Sequence, residues 1–424
     1  MNLKLQTIIQ KLEKKFPRKI DLTLERQLKI LKKLGNPQDK LEQVISVVGT
    51  NSKFSIIYTI FSILKESGHK CNLFVSPHVQ SYSERFIFNN EEIDEESLVD
   101  LLEDIEKIVG EDSCTLFEAL TCAHLKFAEN YSNNISIYEA GMFHFADSTN
   151  VFKKNIANIL GTFSLDHVQW LKNKTIDGVI FEKTAKLLNS KIFLNKQENN
   201  EIFKKVEKAL LKNKSEKYFF GRDFNILKVE NNFIKYQDEF GEIILPKPKK
   251  VLGDHQLYNI STSIMACRKL FNIKDKDIKT AISQLKIKAR LEEIHSGKLK
   301  DLVGKNRLVI DSGHNVGAGL VIADWIKSQQ ADVQIICGMM QDKSHREFIN
   351  LFKDIVKSIT LIDIPNQTGS ITKENFKNKL NEINKEIYLS NSIQESIKSV
   401  SQNENSICLI VGSIYLAGEV LNLN

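Results

Sequence analysis

No two of the six cysteines (Cys71, Cys114, Cys122, Cys267, Cys337, Cys408) form a C-x-x-C pair, and several lie in apolar runs. That excludes a disulfide framework and suits buried free thiols in a reducing compartment. No run of 18 consecutive apolar residues occurs, and Met1–Arg18 mixes charge with short apolar groups and lacks a signal-peptide core. A cytoplasmic protein with no membrane association is expected. Lys and Arg number 59 against 53 Asp and Glu, yet no block of five or six like charges forms, which argues against a nucleic-acid partner. The net charge of +6 suits an anionic small substrate, although on composition alone a solvated lysine-rich surface is the commoner cause. There is no internal repeat.

What is present is alternation. Val44–Val48, Cys71–Val75, Ile135–Tyr138 and Ile156–Leu160 read as buried strands, separated by helical stretches such as Ser55–Ser67 and Leu116–Glu129. The pattern resumes with Arg307–Asp311, Val333–Cys337, Ser358–Ile362, Glu386–Leu389 and Cys408–Val411, each followed by a helix-length segment. Parallel neighbours need crossovers, so both halves predict parallel sheets covered by helices. Between them Asn225–Leu245 predicts a small antiparallel patch turned at Gly241, and the Asn/Lys-rich pieces at Gln197–Glu201 and Gln402–Ser406 read as loops. A chain of 424 residues exceeds what one core usually supports. The expected fold class is α/β with two domains, 1–288 and 289–424, the boundary falling near Lys286–Ala289.

The first strand runs into Val-Val-Gly-Thr-Asn-Ser-Lys-Phe-Ser, residues 47–55. A conventional phosphate loop reads G-x-x-x-x-G-K-[ST], and that expression fails here, because Ser52 precedes the lysine and Phe54 follows it. Gly49, Lys53 and a hydroxyl at Ser55 nevertheless stand between a strand and a helix, where free N–H groups and the helix dipole favour anions. Taken alone, such a stretch is more often a plain turn, with Ser55 as a helix cap.

Downstream stand SPHVQSYSERFIFNNEEI (76–93), TLFEAL (115–120), YEAGMFHFADSTN (138–150), FSLDHVQWL (163–171), EKTAK (182–186), GDHQLYNIS (253–261), ARLEEI (289–294), VIDSGHNVGA (309–318), CGMMQDK (337–343) and VGSIYLAGEV (411–420). Each is weak by itself. Their order and spacing resemble the folylpolyglutamate synthase/dihydrofolate synthase family of the Mur ligase superfamily, from about Val44 to Val420. The family loop is G-T-N-G-K-G-S, so Gly49, Thr50, Asn51, Lys53 and Ser55 match. The resemblance implies a P-loop-type N-terminal ATP-binding domain and a Rossmann-like C-terminal glutamate-ligase domain. It also implies an ATP-dependent ligase that adds L-glutamate to dihydropteroate, to a folate, or to both, through an acyl phosphate, with one or two Mg²⁺ ions. A monomer without nucleic-acid partner is expected.

The chemistry fits that reading, since a carboxyl oxygen is a poor leaving group until it is phosphorylated. By resemblance, Gly49 to Ser55, including Ser52 and Phe54, surround the ATP phosphates, with Lys53 neutralising charge and Ser55 holding a first Mg²⁺. Glu139 is a further Mg²⁺ ligand; without the resemblance it is a solvent-facing strand-end glutamate. His167 is a ligand of the second Mg²⁺, where a lone histidine is otherwise a surface or satisfied core residue. Lys183 matches the lysine that the family carbamylates; on sequence alone it is one more exposed helix lysine. Asn259 matches the adenine contact, Arg290 a phosphate clamp and Asp311, at the end of the first strand of the second domain, a ribose contact. His314 and Ser413 meet the incoming glutamate, and a plain turn and a helix start are their structural readings. Ser76, Pro77, His78, Glu84, Arg85, Phe117 and Asp147 surround the pterin.

Two loops depart from the family. Besides Ser52 and Phe54, G-L-G-G-R-L-D becomes Gly141-Met142-Phe143-His144-Phe145-Ala146-Asp147. Ser52 avoids strain only at negative φ, and Phe54 is expected to pack against Phe143 or Phe145. The alternatives are a paralogue that binds folate or nucleotide without catalysis and a Mur-type cell-wall ligase. The motifs SPHVQSYSERF and FSLDH favour the folate branch.

Overall fold

A computed structural model describes residues 3–15, 23–230, 232–401 and 405–424. The chain forms two compact units, Met1–Lys247 with Tyr258–Ser283, and Pro248–Leu257 with Gln284–Asn424.

In the first unit an eight-stranded sheet is built from β1 (Gln43–Val48), β2 (Cys71–Phe74), β3 (Phe86–Phe88), β4 (Glu91–Glu92), β5 (Ile135–Glu139), β6 (Ala157–Leu160), β7 (Lys191–Leu194) and β8 (Lys217–Phe219). Their order is β4-β3-β2-β5-β1-β6-β7-β8, with every pair parallel except β2–β3 and β3–β4. The central β1 is buried from Val44 to Val48, as a strand covered on both faces must be. In the register Val47 lies opposite Glu139 and Val48 opposite Leu160, so the loops after β1, β5 and β6 leave the sheet together.

The helix Lys53–Glu66 follows β1 because Ile56, Ile57, Ile60, Ile63 and Leu64 recur at helical spacing, and all five are buried. Each such side chain contributes about 1.5–3 kcal/mol of gross burial energy. The helix Leu116–Ala128 starts on a capping box, with Thr115 and Glu118 each accepting the other's backbone N–H. Asn199 caps a helix at Asn200–Ala209 through Ile202 N, so Glu201 is helical where the sequence suggested a loop. The antiparallel patch is present as β9 (Asn225–Val229), β10 (Phe233–Asp238) and β11 (Gly241–Pro246), with Gly241 at φ +107° in the turn. A buried Arg268–Asp238 ion pair of 2.9 Å ties it to the helix His255–Leu270.

The second unit holds β12 (Glu292–Ile294), β13 (Arg307–Ile310), β14 (Asp332–Cys337), β15 (Ser358–Leu361), β16 (Ile387–Leu389) and β17 (Ser406–Val411), in the order β12-β13-β17-β14-β15-β16. All pairs are parallel except β12–β13. The short β12 was not foreseen, so Asp311 follows the second strand of this sheet and not the first. The loop expected at Gln402–Ser406 falls partly on 402–404, outside the described residues, and Ser406 already belongs to β17. No helix among the described residues is long and apolar enough to cross a membrane.

Candidate active site

The loop Gly49–Ser52 is pinned against the β6 exit. Thr50 N and Asn51 N both donate to Thr162 O at 3.0 and 3.1 Å, Thr50 Oγ1 donates to Ser164 O, and Asn51 Nδ2 donates to Ser164 Oγ. This approach needs glycine on both sides: a Cβ on Gly161 would lie 2.5 Å from Asn51 O, and one on Gly49 3.0 Å from Gly161 Cα. Ser52 stands at φ +75°, the left-handed region, so it does not take the negative φ that would have avoided strain. The cost is roughly 1–2 kcal/mol, offset by a 3.2 Å hydrogen bond between Ser52 Oγ and Thr162 Oγ1. Ser52→Gly is therefore expected to change unfolding free energy by less than about 1 kcal/mol, since glycine also gains unfolded-state entropy. Ser52→Val, which keeps the bulk and loses the bond, should destabilise by about 2 kcal/mol or more. Thermal or urea unfolding of both variants checks this.

Lys53 is the first residue of its helix, and its Nζ donates to Gly49 O and Thr50 O at 3.1 and 3.3 Å. It also lies 3.9 Å from Oε1 of Glu139, a buried carboxylate whose Oε2 accepts from Ser76 N at 2.9 Å. Ser55, two residues on, is buried in the first helical turn. From the helix Ile176–Thr184, capped by Thr175, Lys183 reaches the same place: its Nζ donates to Gly49 O at 3.0 Å and to Met142 O. Lys183 is 3% exposed, not the surface lysine that its sequence context allowed. A cavity of about 20 Å³, room for a single water, is lined by Gly49, Thr50, Lys53, Gly141, Met142, Asp166, His167 and Lys183. His167 has φ +55°, with Nε2 3.8 Å from Asp166 Oδ2.

Burial, followed by the neighbouring Lys53 charge, pushes the Lys183 ammonium down to about 7. The folded chain thus releases this proton near neutrality, while the unfolded chain holds it to the ordinary lysine value. Stability must rise with pH across that interval, by about 1.4 kcal/mol per unit. In bicarbonate-free buffer Lys183→Met should accordingly be more stable than wild type at pH 6, and the gap should narrow steadily above pH 7. Thermal unfolding across that range is the check.

The second altered loop packs in its own way. Phe54 meets Tyr58, one turn along its own helix, at 4.5 Å between ring centroids. Phe143 lies 6.4 Å from the His167 ring, with Lys183 Nζ 5.5 Å over its face, and Phe145 stacks on Phe181 at 6.0 Å. In place of the expected pairing of Phe54 with Phe143 or Phe145, Phe54 meets its own helix and the second loop meets His167, Lys183 and Phe181. Asp147 closes the second loop: Oδ2 accepts from Gly141 N at 2.9 Å and Oδ1 from Thr149 N and Oγ1, while burial raises its pKa.

Beside this lies the Ser76–Arg85 turn. Arg85 Nε donates to His78 Nδ1 at 2.9 Å, and burial together with Arg85 drives His78 down to about 3. Glu84 Oε2 accepts from Val79 N and Gln80 N. Phe117 stacks on Phe74 at 5.8 Å and closes over Gly141, where a Cβ would meet its ring at 2.9 Å. Asn259 is also in the first unit, its Oδ1 accepting from Asn195 Nδ2 at 2.8 Å.

The second unit carries a cluster of its own. Asp311 Oδ2 accepts from Leu291 N and Oδ1 from Gly313 N, at 2.7 and 2.6 Å, and Glu292 Oε2 accepts from Ala289 N. These bonds hold Ala289 and Leu291 at φ +51° and +46° on either side of Arg290, whose guanidinium donates to Ala289 O and Ser312 Oγ. His314 Nδ1 faces Ser312 O at 3.0 Å, so Nδ1 carries a proton and donates it to that carbonyl. Gly412 N donates to Gly313 O, which sets the His314 loop beside Ser413, the N-cap of the helix Ile414–Leu423.

No protein-family model matches the chain. It is 25% identical over 410 residues to a dihydrofolate synthase/folylpolyglutamate synthase of Buchnera aphidicola, covering 93% of this chain and 91% of that protein. Escherichia coli FolC in complex with DHPP and ADP superposes with a TM-score of 0.85 at 21% identity, covering 99% of this chain and 97% of that one. Over nearly its whole length the chain is similar in sequence to dihydrofolate synthases and folylpolyglutamate synthases. The bifunctional synthase of Yersinia pestis, complexed with AMPPNP and Mn ion, superposes with a TM-score of 0.83 at 18% identity, over 99% of this chain and 97% of that one.

Within this scaffold, the geometry adds residues that the motifs did not single out. Asp166 lines the cavity with His167, and its place directly before that histidine was the available signal. Met142 acts through its carbonyl and Ser312 through a hydroxyl on Arg290, roles that no side-chain pattern announces. His144 is buried against helix Ile176–Thr184, its N–H and that of Phe145 both donating to Glu182 O.

Proposed function

We propose that the protein is an ATP-dependent amide ligase joining L-glutamate to the carboxylate of dihydropteroate or a reduced folate through an acyl phosphate. The observation that carries this reading is the convergence of Lys53, Lys183 and Glu139 on the carbonyl-lined loop at a helix N-terminus. Such a loop suits a triphosphate, because it opens a helix whose N-terminus favours anions and carries the Lys53 cation. Lys53 would exchange its bonds to Gly49 O and Thr50 O for phosphate oxygens as charge builds there. We assign nucleotide binding to residues 1–288, with Asn259 on the adenine, and glutamate ligation to 289–424. Arg290 is assigned to phosphate and Asp311, which has lone pairs beyond its two backbone bonds, to ribose.

The donor set fits Mg²⁺. Among the described residues no group of three His, Cys, Asp or Glu forms a closed metal cage, and Mg²⁺ ordinarily takes one or two carboxylate or hydroxyl oxygens and completes its shell with phosphate and water. Ser55 and Glu139 would hold a first ion and His167 a second. When bound, the metal supplies neutralisation of charge on the transferring phosphoryl group.

The substrate carboxylate oxygen attacks the terminal phosphorus and ADP leaves; the glutamate amine then attacks the acyl carbon and phosphate departs. His314, its ring oriented by the bond from Nδ1 to Ser312 O, is assigned to receive the amine's hydrogen, and Ser413 to hold the amino acid. Ser76, Pro77, His78, Glu84, Arg85, Phe117 and Asp147 are assigned to the pterin end. An amine with its pKa near 7 is partly neutral and can add CO₂, so we assign Lys183 a carbamate that orients the acyl phosphate. Six buried free cysteines suit a reducing, cytoplasmic setting.

Purified protein assayed for ADP release with dihydropteroate and with tetrahydrofolate, each with and without glutamate, tests the reading. Glutamate-dependent ADP release with at least one acceptor is the expected result. Tight nucleotide binding with no release in any arm would replace the ligase by a binding-only paralogue.

A further inference from the structure

His144 is 2% exposed, and neither ring nitrogen has a hydrogen-bond partner among the described residues. Leaving a buried polar group bare is destabilising, so the position calls for a partner that comes and goes. The loop carrying it is clamped onto Lys183 at two points. His144 N and Phe145 N donate to Glu182 O at 3.1 and 2.8 Å, and Lys183 Nζ donates to Met142 O, two residues before the histidine. The two side chains are within electrostatic reach: burial holds the imidazole neutral, and the Lys183 cation adds to that effect.

The partners of the free amine do not suit its carbamate. Gly49 O and Met142 O accept hydrogen bonds from an ammonium, but they would repel the two oxygens of a carboxylate placed on the same nitrogen. That form needs donors, and the bare imidazole is an unused one on the loop that Lys183 itself clamps. We propose that His144 is a positioning residue that donates a ring N–H to the carbamate oxygen of Lys183, selecting the modified form of the lysine. The proposal rests on the carbamate assigned to Lys183 above. In the step itself the Nζ lone pair of neutral Lys183 bonds to the carbon of CO₂, one C–O π pair moves to oxygen, and the nitrogen releases one proton to solvent. His144 gains or loses no proton.

The test is carbamate occupancy in the full-length protein, read by carbon-13 NMR against the concentration of labelled bicarbonate. Wild type should show the carbamate, and His144→Leu should need about tenfold more bicarbonate for half occupancy, the worth of one hydrogen bond to a charged group. His144→Gln, whose amide can still donate, should stay within about threefold of wild type. His144→Leu should also unfold at or above the wild-type temperature at neutral pH, since it removes two bare nitrogens. If His144→Leu takes up carbamate at the wild-type concentration, or a stably folded His144→Gln loses it, the role of His144 is wrong while the carbamate stands. If wild type forms no carbamate yet releases ADP with glutamate, the carbamate and this proposal both fall and the ligase reading survives.

Discussion

Lys53→Ala should lower glutamate-dependent ADP release by about a thousandfold or more, because one preorganised cation on a transferring phosphoryl group is worth that much in phosphoryl transfer. The fold should be untouched. The Lys53 ammonium bonds two carbonyls of its own loop and lies 3.9 Å from Glu139, which keeps its bond from Ser76 N, so thermal unfolding should move by only a few degrees. A second readout separates a phosphate role from a general disturbance. Lys53 is the second cause, after burial, of the depressed Lys183 proton affinity, so its removal should raise the pH at which Lys183 titrates. Near-wild-type turnover in Lys53→Ala would remove the phosphate loop from the account.

The first unit should lose stability steeply in mild acid. His124 and His144 are 0% and 2% exposed, and burial lowers each from the ordinary 6.5 to about 3. The unfolded chain takes up these protons near pH 6.5 and the folded chain does not until about 3. Their contribution is therefore complete above 6.5 and declines as pH falls through that window. At about pH 5.5 each has lost about 1.4 kcal/mol, so the pair costs about 3 kcal/mol, a large share of a typical domain's stability. Asp147, raised by burial, acts in the opposite direction but only nearer the carboxylate range. Trp170 lies in the first unit and Trp325 in the second, so Trp170→Phe and Trp325→Phe let fluorescence follow each unit separately. The unfolding midpoint in urea should fall between pH 7 and 5 in the first unit, and His144→Leu should flatten that fall. An unchanged slope in His144→Leu would show that His144 charges freely in the folded state.

How much of this the sequence carried depends on the range of the interaction concerned. The parallel strands were legible because burial on both faces leaves continuous apolar runs, as in Val44–Val48 and Cys408–Val411. Short elements were not: β12 has only three residues, and its pairing with β13 is set by the partner strand. Lys53 and Ser55 could be located because a strand, a turn and a helix are local events. The burial of Lys183 could not, since it depends on Gly49 and Met142, which stand 134 and 41 residues away in sequence. Ser52 shows the same limit from the other side. Its identity raised the question of backbone strain, but only the tertiary bond to Thr162, 110 residues on, says how the positive φ is held. Phe54 was expected to bridge to the other altered loop, yet its own helix supplies Tyr58 four residues on, an i,i+4 pairing that needs no second loop.

The central claim is that a carboxylate is activated by phosphorylation before the amide forms. It is tested most directly by running the reaction with the acceptor's carboxylate labelled with oxygen-18, in the presence of ATP, Mg²⁺ and glutamate, and weighing the inorganic phosphate by mass spectrometry. Attack of that carboxylate on the terminal phosphorus carries one labelled oxygen into the phosphate when glutamate displaces it, so one heavy oxygen per amide formed is predicted. Unlabelled phosphate accompanying amide formation would contradict the acyl phosphate and, with it, the role assigned to the Lys53 loop.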